Sequence, residues 1–322
     1  MPSPGVQTFV ILLACATLSA CAFQEMTKEE IKAFVQTQID GSTKRIDEIT
    51  RALSRPDQGF DKQGYPINRI DSGALPNEYW QRAKDYESIG EHQHAKEDYD
   101  TAITLFERLP LRYRDLDLAG LYTDTRQYQK AVDYYSKLLS IATPVGNGYV
   151  IFPPSSNIRY PDFNLEEIRL RRAKNYYQLA DYQNAVADYG SVIRNFQNGH
   201  WEAWYERAKA YIGLGDYQKA VDDCTTAIEK TEASNKKYAE DYAREPSAET
   251  CGHGKWPKQS PQTNYNLHLK PIAAPSYYWR AIAYEKLGKL DLAARDKEMA
   301  SKLGYKPETS RQGNASGVRV LK

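Results

Sequence analysis

The sequence predicts an all-α protein made of stacked pairs of antiparallel helices. One observation is compositional: 25 tyrosines stand against 8 phenylalanines. A second is that the tyrosines recur with alanines at fixed helical spacings. Five segments share the pattern: Arg82-Ala83 with Tyr86, Gly90, Ala95, Tyr99 and Ala102; Leu118-Ala119 with Tyr122, Tyr128, Ala131, Tyr135 and Leu138; Arg172-Ala173 with Tyr176, Tyr182, Ala185, Tyr189 and Val192; Arg207-Ala208 with Tyr211, Gly215, Tyr217, Ala220, Cys224 and Ala227; and Ala281 with Tyr284, Gly288, Leu290, Ala293 and Ala300.

In each segment a small residue and a tyrosine three positions later share one face of a first helix. A turn follows, with Gly90, Gly215 or Gly288 as helix stop in three copies. The second helix carries an alanine, a larger slot four later and a small or apolar residue three beyond that. Alanine at these places lets two helix axes approach closely, and the tyrosine rings fill the space beside them. The tyrosine excess is therefore mainly packing and not a catalytic set.

This pattern resembles the tetratricopeptide repeat, a helix–turn–helix unit of about 34 residues. The resemblance implies an α-solenoid of about five repeats. Aligned on the small slot, copies begin near Pro76, Arg112, Glu166, Trp201 and Ala274, so two gaps exceed one unit. Repeats one and two are expected over 76–145 and repeats three and four over 166–233. The fifth repeat and its polar cap are expected over 274–307, before a disordered tail at 308–322. The insert at 146–165, with Phe152-Pro-Pro, reads as an extended or turn-rich loop. The insert at 234–273 starts helix-like through Tyr238–Ala243 and breaks at Pro246.

Ahead of the array, 21–75 reads as N-terminal helices and a linker. Thr27-Lys-Glu-Glu30 is a capping box, and the apolar spacing predicts two short helices broken near Gly41-Ser42. They are expected to dock on the first repeat, with Pro56 to Leu75 linking anchor to array.

Residues 1–20 carry no Asp, Glu, Lys or Arg. Phe9–Leu18 is an apolar run suited to a signal-peptide core and too short to span a bilayer as a helix. It ends in Leu18-Ser19-Ala20-Cys21, which resembles the lipobox of bacterial lipoproteins. That resemblance implies acylation of Cys21, and Ala22 in place of Asp favours the outer membrane, with the chain facing the periplasm. Met1–Thr8 departs from the family in lacking Lys and Arg. An ordinary secretory signal is the alternative.

The charges balance at 43 basic and 42 acidic residues, net +1, which argues against a nucleic-acid binder driven by bulk charge. No phosphate-cradling glycine loop, His-Glu-x-x-His or nucleophile elbow occurs, and no cofactor is expected. His92-Gln-His94 lacks a third metal ligand. The competing reading as an enzyme or metal-binding protein is confined to the second insert, with Cys251, His253 and His268. A structural homo-oligomer is the third reading. In an exported chain a Cys224–Cys251 disulfide would staple the second insert to repeat four, contributing about 3 kcal/mol in the loop-entropy model.

In the repeat family the first helices line a concave groove. The resemblance places Trp80, Lys84, Tyr113, Lys174, Tyr177, Tyr205, Lys209 and Tyr278 on it. Aromatic faces beside lysine heads suit a protein or extended peptide ligand, an acidic one included. The carboxylate clamp of chaperone-binding members is not reproduced, since its places carry Trp80, Lys84, Asp117 and Arg171. The reading is a non-enzymatic, lipid-anchored scaffold of the bacterial cell envelope.

Overall fold

The computed structural model describes residues 27–53, 74–108, 115–145, 149–151, 165–195, 201–244, 249–251, 254–256 and 270–307. Cys21, Tyr113, His253, His268, the signal segment and the tail lie outside them. The described residues form eleven helices and two short hairpins. A lone helix, α1 (Lys28–Leu53), precedes five helix pairs. These are α2 (Ala74–Ser88) with α3 (His92–Glu107), α4 (Asp115–Asp124) with α5 (Tyr128–Ile141), α6 (Leu165–Gln178) with α7 (Tyr182–Asn195), α8 (Glu202–Leu214) with α9 (Tyr217–Arg244), and α10 (Lys270–Lys286) with α11 (Leu290–Lys302). Each second helix packs on its own first helix and on the next pair's first helix, so the fold is the α-solenoid the spacing predicts.

The small slots do what that fold needs. Ala83, Ala119, Ala173, Ala208 and Ala281 on the first helices are all 0% exposed, and Ala95, Ala131, Ala185, Ala220 and Ala293 on the second helices do not exceed 3%. Tyr99, Tyr135, Tyr189 and Cys224 fill the larger slot and are buried. Burial of this kind contributes roughly 25 cal/mol per Å² of apolar surface and is the main cohesion between pairs.

All five turns close in the same way. The residue at the turn is left-handed, its N–H bonds three residues back, and the next N–H bonds five residues back. Gly90, Gly215 and Gly288 take this place at φ 88°, 81° and 72°. In repeats two and three Arg126 and Ala180 adopt it at φ 61° and 58°, where a Cβ is strained.

A ladder of ion pairs ties first helix to second. Arg82 meets Asp98, Arg172 meets Asp188, Arg207 meets Asp223 and Arg280 meets Asp296, each through two nitrogens at 2.7–2.9 Å. Three of these arginines also donate to a hydroxyl on the preceding outer helix: Arg82 to Thr43, Arg172 to Ser136 and Arg280 to Thr225. Where Arg207 would find such a hydroxyl the chain has Gly190, whose open side faces the Arg207 guanidinium. In repeat two the pair is absent; Leu118 is fully buried in its place and Tyr134 stacks on Tyr122.

Several expectations are corrected. The N-terminal segment is one helix and not two: α1 runs through Gly41 and Ser42. A mid-helix glycine costs only about 1 kcal/mol, and Ser42 is buried where it accepts a hydrogen bond from Arg45. The Thr27–Glu30 box does open this helix, with both reciprocal bonds made. Because Thr43 and Arg45 bind Arg82 and Glu78, α1 occupies the place of a second helix in a half repeat. The expected linker at 56–75 falls almost wholly on residues 54–73, which lie outside the described residues. The first insert is not entirely loop, since β1 (Thr143–Val145) pairs antiparallel with β2 (Tyr149–Ile151). The helix-like start of the second insert is the continuation of α9 to Arg244, followed by a hairpin of β3 (Glu249–Cys251) and β4 (Gly254–Trp256). The fifth repeat opens at Lys270, ahead of Pro275, with Ser276 donating to the Ile272 carbonyl. Finally, the Cys224–Cys251 bridge is not made: Cys224 is a free thiol. It is 0% exposed in the cluster with Ala208, Ala220 and Ala283, turned inward to the helix seam.

Candidate functional site

The first helices stand side by side, and their matching positions bring the expected groove residues into two groups. The N-terminal group forms where α2 meets α4. Gly120 leaves room for the Trp80 ring, which a Cβ there would approach to 2.8 Å. The indole N–H of Trp80 donates to Asp124 at 2.8 Å. Lys84 lies 3.1 Å from the same carboxylate and 4.3 Å from the Trp80 ring centre. Trp80 and Lys84, with Arg45, Asn77, Glu78 and Gln81, line an open hollow of about 370 Å³ between α1 and α2. Burial, opposed by the Gln81 hydrogen bond and the charges of Arg45 and Lys84, raises the neighbouring Asp85 carboxyl to about 6.

The C-terminal group joins α6, α8 and α10. Lys209 pairs with Glu206 at 2.8 Å and lies 4.7 Å from the Tyr177 ring centre and 5.6 Å from that of Trp279. Tyr177 also packs on Tyr182, whose ring occupies the space that Gly213 leaves on α8. Trp279 meets Tyr278 edge to face, and Tyr278 meets Tyr305, beyond α11, at 5.0 Å between ring centres. Burial, then Tyr182, Glu206 and Tyr305, raises the Tyr177 hydroxyl to about 12. Burial, then Glu206, Glu202 and Tyr305, also raises that of Tyr205. Tyr189, beneath them, has a buried hydroxyl with no hydrogen-bond partner among the described residues.

The structure therefore gathers Trp80 with Lys84, and Tyr177, Tyr205, Lys209 and Tyr278, on one face. Lys174 stands exposed between the groups, and it alone of the three groove lysines lacks a carboxylate partner among the described residues. Between the groups Thr123 bonds the buried Asn175, and Arg171 holds Glu167. Sequence reasoning missed Asp124, Glu206, Trp279 and Tyr305. The first three sit one position off an expected groove slot, so a wider window along each first helix finds them. Tyr305 has no such signal, because it arrives from outside the repeat.

No group of three or more His, Cys, Asp or Glu among the described residues is arranged to hold a metal ion, and no described helix is long and apolar enough to cross a membrane. Stacked rings and neutralised lysines suit recognition by contact more than bond-making chemistry.

No characterised protein matches the chain in sequence. Among solved structures, BtubC (BKLC) from P. vanneervenii is 17% identical, with 87% of this chain and 96% of that one covered, at a TM-score of 0.49. MamA is 16% identical, covering 67% of this chain and 94% of its own, at 0.41. A Podosopora anserina kinesin light chain with nearly identical TPR-like repeats is 17% identical, covering 72% and 95%, at 0.45. Tetratricopeptide-repeat family models match residues 116–143 and 170–235. These two stretches thus carry tetratricopeptide repeats, within described residues stacked as an α-solenoid.

Proposed function

We propose that the chain is a non-enzymatic adaptor of the bacterial cell envelope, held to the membrane by an acylated Cys21. On this reading it binds a segment of another protein along its first-helix groove. The observation that carries the groove is the run of rings and cations from Tyr177 through Lys209 to Trp279, which crosses three successive first helices. Such a surface offers flat apolar faces spaced along a line, matching the side chains of an extended peptide. Lys84 and Lys209 already hold carboxylates, so a preference for an acidic ligand rests on Lys174. Several acyl chains on Cys21 would anchor the adaptor stably where one would not, and anchoring raises the local concentration of whatever it holds.

The test is affinity capture from bacterial envelope extract with the unlipidated chain, beside Lys174→Glu. Lys174 is exposed, so reversing its charge leaves the fold intact. Capture is expected to fall several-fold with helicity unchanged, and unaltered capture would overturn the groove assignment. Separately, Cys21→Ala should move the chain from the membrane to the soluble fraction. If the variant stays on the membrane, the anchor is wrong.

A further inference from the structure

We infer that Tyr305 is an internal occupant of the groove, seated where an aromatic side chain of an extended partner peptide would bind. This rests on the groove reading above and adds what the groove takes and what keeps it closed.

The observations begin at the end of α11. Gly304 is left-handed at φ 75°, and the helix closes with Gly304 donating to Ser301 and Tyr305 to Ala300. This stop turns the chain sharply away from the α11 axis. After it, residues 305–307 form neither helix nor strand. The turn delivers the Tyr305 ring onto Tyr278 of α10, at 5.0 Å and an interplanar angle of 41°, within the range of attractive aromatic pairs. Its hydroxyl is close enough to those of Tyr177 on α6 and Tyr205 on α8 to be felt electrostatically by both. One side chain from outside the repeats therefore reaches the environment of three first helices.

The seat has a definite chemistry. Tyr278 is the ring in contact with Tyr305, Tyr177 and Tyr205 lie within electrostatic reach, and Trp279 and Lys209, with its partner Glu206, stand beside these rings. A flat ring gains stacking there, and a phenol places its hydroxyl among polar groups, so tyrosine fits better than an aliphatic side chain. An occupant on the same chain acts at an effective concentration of about millimolar. Even a weak internal contact then keeps the seat filled, and a partner's apparent affinity falls by the fraction of time it is free.

The experiment uses a fluorescent synthetic peptide, Ser301–Pro307 of this sequence, as probe, and the full chain carrying Tyr305→Ala as receptor. Anisotropy is expected to show the probe binding Tyr305→Ala at least tenfold more tightly than wild type. The same probe with alanine in place of its tyrosine should not bind. Adding Trp279→Ala to the receptor should abolish binding. Equal affinity for wild type and Tyr305→Ala, binding that survives loss of the probe's tyrosine, or no binding to either receptor overturns the inference. Tyr305→Lys is the second receptor, since its side chain extends into water; it is expected to behave as Tyr305→Ala and keeps the test decisive should the alanine variant not fold. No partner protein enters this assay. Its failure is thus distinct from a failure of the groove reading, which the Lys174→Glu capture decides.

Discussion

The ion-pair ladder offers a test with its own internal control. Four repeats join first and second helices through an arginine and an aspartate, while repeat two uses Leu118 and Tyr134 at the same places. Arg207 and Asp223 are the pair to perturb, with side chains 17% and 8% exposed. Burial raises the Asp223 carboxyl above its ordinary range although Arg207 donates two hydrogen bonds to it. Desolvation therefore takes back much of what the pairing contributes. Removing one member of a buried pair costs about 3–5 kcal/mol, because the other charge is stranded. Arg207 also lies against the rings of Trp204 and Tyr211 and keeps some access to water, so about 2–3 kcal/mol is expected for Asp223→Ala. Arg207→Leu with Asp223→Tyr copies repeat two. The new ring would meet Tyr211 as Tyr134 meets Tyr122 at 5.5 Å between centres. This double variant is expected within about 1 kcal/mol of wild type. Urea unfolding followed by far-UV circular dichroism reads both values, with the slope checked for constancy, since repeat arrays do not always unfold as one unit. A double variant as unstable as Asp223→Ala, or a single variant costing under about 0.5 kcal/mol, would refute the reasoning that the pair's merit lies mostly in not being half removed.

Three further outcomes are expected. Ala180→Gly should raise stability by about 0.5–1 kcal/mol, as relief of the left-handed strain exceeds the added freedom of the unfolded chain; a lower urea midpoint would contradict it. Gly213→Ala should destabilise by about 1–3 kcal/mol, since its Cβ would lie 2.5 Å from the Tyr182 ring and force repacking between repeats three and four. For Asp85, the folded pKa of about 6 exceeds the ordinary 3.8, so the native chain binds more protons between those values and stability falls as pH rises through them. Asp85→Asn should flatten melting temperature across that window and add about 1 kcal/mol at pH 7 after allowance for screening; an unchanged pH profile would show that the carboxyl is not desolvated.

Elements whose stability comes from short-range periodicity were legible in the sequence. The alanine and tyrosine slots give the pairing of helices, their order and the three glycine turns, and the capping box marks the start of α1. What escaped depends on partners far along the chain. Gly41-Ser42 reads locally as a break, yet packing of Val35, Ile39, Ser42 and Ile46 against the first repeat outweighs the glycine. Arg126 and Ala180 show that the turn geometry is imposed by the helices on either side and not by the residue between them. The compartment argument for a disulfide did not foresee that the slot of Cys224 makes it a packing residue, fully buried as a free thiol. The ladder was present as an arginine followed by an aspartate sixteen positions on, in four copies, but is visible only when polar slots are aligned with the same care as apolar ones. On the candidate face, Trp80 meets Lys84, and Lys209 meets Tyr177, but Lys84 and Lys209 are neutralised by carboxylates of the neighbouring or same helix.

Because α1 stands in as an outer helix, the stack formed by the described residues has an outer helix at each end, and its five inner helices are each flanked by two outer ones. If Cys21 bears the proposed acyl chains, only five residues separate it from Thr27 at the head of α1, a tether of roughly 20 Å at full stretch. Such a leash would keep the α1 end of the array close to the bilayer, so the end of the stack nearest the surface would be decided by where the half repeat sits.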